Sequence, residues 1–192
     1  MNELKGHHVR LEPLSLSHAS DLWKHTGGDA ELWRWVIVKF PIPHSQIEME
    51  DLITKLLAES GSREAFAVID LRSGEAVGST SYLDIQPALK AIEIGSTFYG
   101  EIARRTPINT ETKLLLLTEA FENRGCERVG LKADNLNERS LRAIERIGAK
   151  REGVLRKHQL RRDGSLRDTV YYSIIKSEWQ DVKANLLSKL AD

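Results

Sequence analysis

Residues 128–153 read RVGLKADNLNERSLRAIERIGAKREG and contain the signals that decide the fold. Apolar residues alternate through Arg128–Ala133, which predicts a strand. The segment Asn137–Ile147 follows with apolar residues at helical spacing, and Gly148 stands where a helix would end. We predict that this short helix turns three side chains inward: Leu141, Ile144 and Ile147. A strand and a helix in this order indicate one β-α-β crossover in the second half of the chain.

Toward the C-terminus the sequence predicts a hairpin and a last helix. Two strands, at about Glu152–Gln159 and Asp168–Ile175, flank the turn signal Arg162-Asp163-Gly164. Ser177 is predicted to cap a final helix that carries four large apolar residues: Trp179, Val182, Leu186 and Leu187. The chain is therefore expected to end in two strands and a helix.

Before residue 128, a long helix and a three-stranded meander are predicted. Asn109–Asn123 contains four consecutive leucines, which cover more than one face of a helix and indicate burial on several sides. Three earlier segments are rich in β-branched and aromatic residues and are separated by turn signals at Ser73-Gly74 and Pro87. We expect them to form an antiparallel meander: Ala65–Leu71, Ala76–Ile85 and Ala91–Tyr99.

The N-terminal third predicts a strand, two helices and a loop between the helices. His8–Leu14 indicates the strand, and Ser17–His25 indicates a helix. Ser45 begins an S-x-x-E capping-box pattern, so a second helix is predicted to start there. This helix is expected to turn four residues toward the core: Ile47, Leu52, Leu56 and Leu57.

The segment between these helices, Asp29–His44, is rich in aromatic residues and contains two prolines, so we predict a surface loop with at most one helical turn. Trp33 and Trp35 lie in this loop. They are interpreted as packing residues, with one wall of a substrate cleft as the alternative.

A length of 192 residues, with 41% hydrophobic and 29% charged residues, is typical of a single globular domain spanning residues 1–192. The order of elements predicts an α+β fold with mixed strand directions. We expect a partly antiparallel central sheet of about seven strands, flanked by helices.

Charge and cysteine content exclude several classes of partner. Twenty-eight basic residues balance 28 acidic ones, so no global positive field would hold nucleic acid or an anionic membrane. The single cysteine, Cys126, cannot form an internal disulfide and is predicted to be a buried thiol.

No apolar run suits a signal peptide or a membrane span, and the six histidines lack metal-ligand spacing. A cytoplasmic protein without a metal site is expected; the oligomeric state stays open, a homodimer included.

One candidate site is the segment from Arg104 to Asn109, which lies between a predicted strand and the leucine-rich helix. A helix N-terminus presents free N–H groups and the positive end of the helix dipole, so two arginines beside it would make a phosphate-sized anion site. The alternative is a solvated loop followed by Asn109 as an N-cap residue. The residues alone leave both interpretations open.

A second candidate is Asn137-Glu138-Arg139-Ser140, which opens the short helix. Asn137 is a good N-cap residue, and Ser140 offers a hydroxyl in the first turn. Taken alone, this segment is interpreted as a helix cap.

Together the two segments resemble motifs of the GNAT superfamily of N-acetyltransferases. In that family an R/Q-x-x-G-x-G/A loop before a helix holds the diphosphate of acetyl-coenzyme A. Arg104, Pro107 and Asn109 fall on its first, fourth and sixth positions, so both small positions are altered here. The second family motif, N-x-x-S and a helix ending in G-(F/A)-x-x-x-G, matches at each position: Asn137, Ser140, Gly148, Ala149 and Gly153.

The resemblance covers nearly the whole chain and is closest to the RimJ/RimL-like branch, which includes acetyltransferases of ribosomal-protein N-termini. Three further segments look like the opening, central and closing strands of the family: Val9–Leu14, Glu93–Gly95 and Arg167–Tyr172. It implies an enzyme that moves the acetyl group of acetyl-coenzyme A to a primary amine by direct attack. The acceptor would be a protein N-terminus or a small-molecule amine.

The resemblance also implies roles for individual residues. Glu93 would take the proton of the amine, directly or through water, although a surface glutamate on a strand is the alternative. Backbone N–H groups around 95–97 would stabilise the oxyanion, and Ser140 would donate to the departing thiolate. The cofactor would be bound by seven residues: Arg104, Arg105, Thr106, Ile108, Asn109, Thr110 and Asn137.

The general base has an alternative position in this family. Some members of the branch use a glutamate on the strand after the short helix, and counting from Gly153 puts Gln159 there, which cannot accept a proton near neutral pH. Strand alternation turns His158 and Gln159 to opposite faces, so Glu93 remains the expected base.

A catalytically silent protein that binds coenzyme A as a sensor or scaffold stays open as a second function, favoured by the altered positions in the first motif.

Overall fold

The protein is described by a computed structural model that covers residues 2–36, 41–59 and 61–191. Its strands are β1 (Leu4–Lys5), β2 (Val9–Pro13), β3 (Arg63–Asp70), β4 (Ala76–Gln86), β5 (Ala91–Tyr99), β6 (Arg128–Asp134), β7 (Lys150–Leu160) and β8 (Leu166–Ile175). Its α-helices are α1 (Ala19–Thr26), α2 (Ala30–Arg34), α3 (Gln46–Leu57), α4 (Ile108–Thr118), α5 (Glu138–Arg146) and α6 (Trp179–Ala191). In these three ranges no helix is both long and apolar enough to cross a membrane.

All eight strands belong to one sheet, in the order β1-β2-β3-β4-β5-β6-β8-β7. Neighbouring strands are antiparallel except β5 and β6, which are parallel and are connected through α4. The predicted mixed sheet with helices on it is therefore confirmed, and β5-α4-β6 is a β-α-β crossover as expected. A second one was not expected: β6 and β7 are both antiparallel to β8, and α5 joins them. The sheet has one strand more than expected, because the two residues of β1 pair with β2.

Two hydrophobic clusters hold the helices against the sheet. One joins β3 to α1, α2 and α3, and its largest fully buried side chain is Trp33. The other packs α4, α5 and α6 against one face of the sheet, from β2 to β8, and it takes alternate residues of β8, such as Val170 and Tyr172. The other residues of β8, which alternate with Val170 and Tyr172, project from the opposite face of the sheet. Lys132 in β6 and Glu93 in β5 project from the same face, which we call the polar face.

Three local expectations are wrong. Ile47 and Leu57 are 71% and 39% exposed, because α3 buries a different stripe: Met49, Leu52, Ile53 and Leu56. Ser177 does not cap the last helix, since a 3-10 turn over Lys176–Glu178 precedes α6.

The predicted loop Asp29–His44 contains the short helix α2, and its residues 37–40 lie outside the described ranges. Trp33 is core packing and forms no cleft wall: it is fully buried, and its ring lies 5.3 Å from that of Phe98. Trp35 is half-buried, and its indole donates to Glu31.

One buried carboxylate fixes α4 against the N-terminal hairpin. Glu111 accepts three backbone N–H groups, from His7 at 2.8 Å, His8 at 2.6 Å and Val9 at 2.8 Å. Its residue exposure is 3%. Gly6 leaves room for this contact, because a Cβ atom there would overlap the carboxylate. The position of α4, on which the site below depends, is therefore set partly by a single side chain.

Replacing Glu111 by alanine should lower the free energy of unfolding by roughly 3 kcal/mol or more, because three backbone N–H groups lose their charged acceptor. Denaturant unfolding measures the effect, with Glu138→Ala as the control, since Glu138 is an exposed helix residue with one surface ion pair. A loss equal to that of the control would show that Glu111 does not anchor the hairpin.

Candidate active site where two parallel strands diverge

The candidate site begins where β5 and β6 separate. Only three residue pairs join these strands, and the last is Glu93 with Gly130. Beyond it, β5 stays paired with β4 as far as Tyr99 and β6 stays paired with β8 as far as Asp134. The facing edges of the two strands are thus unpaired with each other, which leaves a gap in the sheet.

A bulge in β5 widens this gap. The register with β4 shifts between Ser79 and Ser81, and Ser96 has a φ of 47°, in the left-handed region. Gly95, just before it, leaves space beside the gap, because a Cβ atom there would lie 2.8 Å from Leu83 and 3.0 Å from Oε1 of Glu93. The segment expected to supply oxyanion N–H groups is therefore the irregular part of the strand.

Glu93 lies on the polar face at the point of divergence. Its residue exposure is 9%, and its Oε2 atom pairs with Nζ of Lys132 at 2.9 Å. The other oxygen, Oε1, is buried and has no hydrogen-bond partner among the described residues. One oxygen is thus held by a cation, while the other is buried without a hydrogen-bond partner among the described residues. Lys132 was not identified from the sequence, since only the register places it beside Glu93.

On the opposite side of the gap, α4 starts one residue earlier than expected. Ile108 is its first residue and Pro107 occupies the N-cap position, so the assignment of Asn109 as N-cap is wrong. Proline suits this position because its fixed φ fits a helix start and it brings no unpaired N–H group. Thr106 completes the start by accepting from the N–H of Ile108 at 3.3 Å.

The first turn of α4 keeps free donors. Neither Asn109 nor Thr110 donates its backbone N–H to another described residue. Cations lie beside them: Arg105 is exposed, and Nη2 of Arg146 donates to the Thr110 hydroxyl at 2.9 Å. Arg104 is placed differently, because its guanidinium forms an ion pair with Asp29 at the start of α2.

Arg146, at the end of α5, was missed by the sequence analysis. It lies 36 residues from Thr110 along the chain, and no local pattern connects the two. The N-terminus of α4 thus has two nearby cations, Arg105 and Arg146, and Arg146 was not among the expected residues.

Asn137 and Ser140 occupy the start of α5, at the same edge of the sheet. The Asn137 side-chain oxygen accepts from the backbone N–H of Ser140 at 3.1 Å, so it caps the helix as interpreted. The Ser140 hydroxyl is half-buried and forms no hydrogen bond with a described residue. Asn137 therefore keeps its amide N–H groups free to donate, and Ser140 keeps its hydroxyl.

The expectation that His158 and Gln159 face opposite sides is wrong. The register of β7 shifts between Leu155 and Gln159, and Lys157 has a φ of 49°. This bulge interrupts the alternation of side chains. His158 hydrogen-bonds to Thr169 at 3.0 Å, and Gln159 stands directly opposite Arg167, so both contact the polar face of β8.

A buried lysine lies behind the gap, on the side of α4. Nζ of Lys113 donates to Oγ1 of Thr97 at 3.1 Å, and this oxygen lies 2.7 Å from the hydroxyl of Thr80. Lys113 is 7% exposed, and burial alone lowers the pKa of its ammonium group from 10.5 to about 7. No sequence pattern had marked Lys113, because it stands among the leucines of an apolar helix.

Comparison with known proteins agrees with this geometry. Residues 8–150 match the family model described as Acetyltransferase (GNAT) domain. YdaF of Bacillus subtilis (strain 168), provisionally named a ribosomal N-acetyltransferase, is 34% identical over 113 residues, which are 59% of this chain and 61% of YdaF. The chain therefore matches about three fifths of the length of this curated relative.

Two solved structures are similar over most of their length. A provisionally named acetyltransferase from T. thermophilus is 39% identical with a TM-score of 0.89, covering 99% of this chain and 97% of that one. RimJ of Mycobacterium smegmatis, in complex with CoA-disulfide, has a TM-score of 0.82 and covers 98% of this chain and 93% of its own. At 20% identity the second likeness shows the fold alone.

Replacing Lys113 by methionine should stabilise the protein in a pH-dependent way. Between pH 7 and about 10.4 the unfolded chain binds a proton that the folded protein does not, so the wild-type free energy of unfolding rises with pH across this window. The advantage of the variant should therefore be largest below pH 7 and disappear near pH 10.5.

Denaturant unfolding from pH 6 to 10 measures this difference, and Lys55→Met serves as an exposed lysine control on α3. If the difference in free energy of unfolding between wild type and Lys113→Met stays constant with pH, protonation of Lys113 does not destabilise the protein.

Proposed function

The chain belongs to the GNAT family of acetyltransferases, and on that premise we propose that it transfers the acetyl group of acetyl-coenzyme A to a primary amine. The observation that carries this proposal is the gap between β5 and β6. A free carboxylate oxygen lies on one side of it, and two helix N-termini lie at its edge. Acetyl-coenzyme A supplies an acetyl group activated as a thioester.

The residues around α4 fit the diphosphate of this cosubstrate. The N–H groups of Asn109 and Thr110 donate to phosphate oxygens, and Arg105 and Arg146 add charge. Thr106 and Ile108 hold the helix start in place through their own hydrogen bond. Arg104 contributes by fixing this loop to α2 through Asp29.

The unpaired edges of β5 and β6 fit the amide-containing arm of the cosubstrate. A peptide-like arm in the gap hydrogen-bonds to strand edges as an added strand would. Asn137 donates its amide N–H groups to this arm, while its oxygen continues to cap α5. Backbone N–H groups near Ser96 lie where the bulge turns them out of regular pairing, so they donate to the carbonyl oxygen of the acetyl group.

The acceptor amine approaches from the polar face. Its nitrogen forms a bond to the acetyl carbon, the carbon–sulfur bond breaks, and one proton leaves the nitrogen. Oε1 of Glu93 accepts this proton, and Lys132 keeps the carboxylate oriented through Oε2. The Ser140 hydroxyl donates to the departing sulfur, so the products are an acetylated amine and coenzyme A.

Protein N-termini and small-molecule amines both belong to the proposed acceptor class. The name of YdaF points to ribosomal proteins for that relative, and we extend to this chain only the chemistry of amine acetylation. The test is release of coenzyme A thiol from acetyl-coenzyme A in the presence of peptides, polyamines and amino acids. Binding of coenzyme A without thiol release for every amine would instead support a silent sensor or scaffold.

Replacing both Arg105 and Arg146 by alanine should weaken coenzyme A binding at least tenfold, because each charge-assisted contact to a phosphate contributes roughly 1.5 to 3 kcal/mol. Calorimetric titration with coenzyme A measures the Kd. The charge-matched control replaces Arg34 and Arg156, which are both exposed. Equal affinity in the two double variants would remove the first pair from the diphosphate site.

Replacing Glu93 by glutamine should lower kcat/KM by about 10²- to 10³-fold while leaving coenzyme A affinity unchanged, because the shape is kept and the basicity is lost. The acidic limb of the pH–rate profile should disappear with it. Glu127→Gln is the control, since Glu127 is exposed and pairs only with Lys176. Wild-type rate and profile in Glu93→Gln, with loss of both in His158→Ala, would transfer the role of base to His158.

A further inference from the structure

Unsatisfied polar atoms gather on the polar face. Six buried side-chain nitrogen or oxygen atoms in the described ranges have no hydrogen-bond partner, and three of them belong to Glu93, Gln159 and Arg167. Gln159 and Arg167 stand opposite each other in the β7–β8 register, so their side chains leave the sheet on the same side. Buried polar groups are normally paired in proteins, so three unpaired ones on one face indicate a place for a ligand.

Arg167 is the most unusual of the three. It is 8% exposed, and none of its nitrogens forms a hydrogen bond or an ion pair with a described residue. Asp134, a carboxylate on the same face, is already engaged by other groups: it accepts from Nε and Nη2 of Arg161, at 2.7 and 2.9 Å, and from the N–H of Leu136 at 2.9 Å. The guanidinium of Arg167 is thus a buried cation that the protein itself does not pair.

Arg124 is a partly buried arginine with a structural role, and it is paired with carboxylates. Its guanidinium donates to both oxygens of Glu64, at 3.0 and 2.7 Å, and its Nε donates to Glu119 at 3.1 Å. An arginine with a packing role is therefore neutralised on two sides. Arg167, which is at least as buried, receives no such partner, and burial lowers its pKa.

The charges around Arg167 favour a monoanion. Five ionisable side chains lie in this part of the polar face, three positive and two negative: Lys132, Arg161, Arg167, Glu93 and Asp134. Glu93 lies on the same face as Arg167, and its negative charge favours the charged form of the guanidinium. A ligand with a neutral amine and one carboxylate brings a charge of −1 and neutralises the group.

The turn between β7 and β8 is held against a distant segment of the chain. Nε of Arg162, in this turn, donates to the backbone oxygen of Trp33 in α2 at 3.0 Å. The hairpin that carries Gln159 and Arg167 is thereby tied to α2.

We propose that the acceptor is a small amine that carries a carboxylate, an amino acid, and that Arg167 binds this carboxylate while the amine faces Glu93. A planar guanidinium matches a carboxylate through two parallel hydrogen bonds. This inference rests on the proposed acetyl transfer and names the substrate class of its acceptor site.

The test compares amino acids with their amides, because each pair shares the amine and the side chain and differs only in the carboxylate. Glycine, β-alanine, 4-aminobutyrate and the common α-amino acids cover different spacings between amine and carboxylate. For the best pair, wild-type kcat/KM for the acid should exceed that for the amide by tenfold or more. Arg167→Met should reduce this ratio to about one, and Arg167→Lys should retain part of it.

Two further measurements separate the possible failures. Arg156→Met, an exposed arginine on β7, should keep the wild-type ratio, and calorimetry should show unchanged coenzyme A affinity in Arg167→Met. Weaker coenzyme A binding in Arg167→Met would place Arg167 in the cosubstrate site and overturn the inference. Acetylation of amides and peptide N-termini as efficient as that of acids would overturn it as well, yet would leave the proposed transferase intact. Absence of thiol release with every amine would reject the transferase itself.

Discussion

The short parallel pairing between β5 and β6 is the constraint on which the rest of the molecule depends. Three residue pairs hold the two halves of the sheet together, and the bulge at Ser96 then turns β5 away from β6. A parallel pair requires a crossover, so α4 must lie behind this point and its N-terminus must open at the diverging edge. The gap, the helix start and the carboxylate of Glu93 are therefore consequences of one topological feature.

This arrangement separates two kinds of chemistry. Helix N-termini and exposed cations lie at one edge and suit an anionic cosubstrate, while the polar face carries Glu93, the proposed base, and the unpaired guanidinium of Arg167. The chain as a whole has no net charge, so both sites depend on local fields. Arg146 and Arg167 show this, because tertiary packing places Arg146 beside the start of α4 and Arg167 on the polar face.

Strands and helices were predictable from the sequence wherever one local pattern determined them. The meander, the crossover and the short helix ending at Gly148 were all identified, because periodicity and a left-handed glycine act within a few residues. Periodicity failed for Ile47, since a helix with apolar residues on several faces does not say which face is buried. Alternation failed for His158, because the bulge at Lys157 changes the side that each following residue takes.

The site was predictable only in part, for the same physical reason. Glu93, Asn137 and Ser140 were proposed from the family resemblance, and all three lie at the diverging edge or beside it. Lys113 and Arg167 were not found, because a buried charge is recognised by the absence of partners, and partners are known only after folding. Each of these buried charges lowers the free energy of unfolding, which is only about 5–15 kcal/mol in total for a typical protein. Arg124 shows that the fold can pair a buried cation with carboxylates, so the lack of such a pair at Arg167 is a property of that position in the cleft.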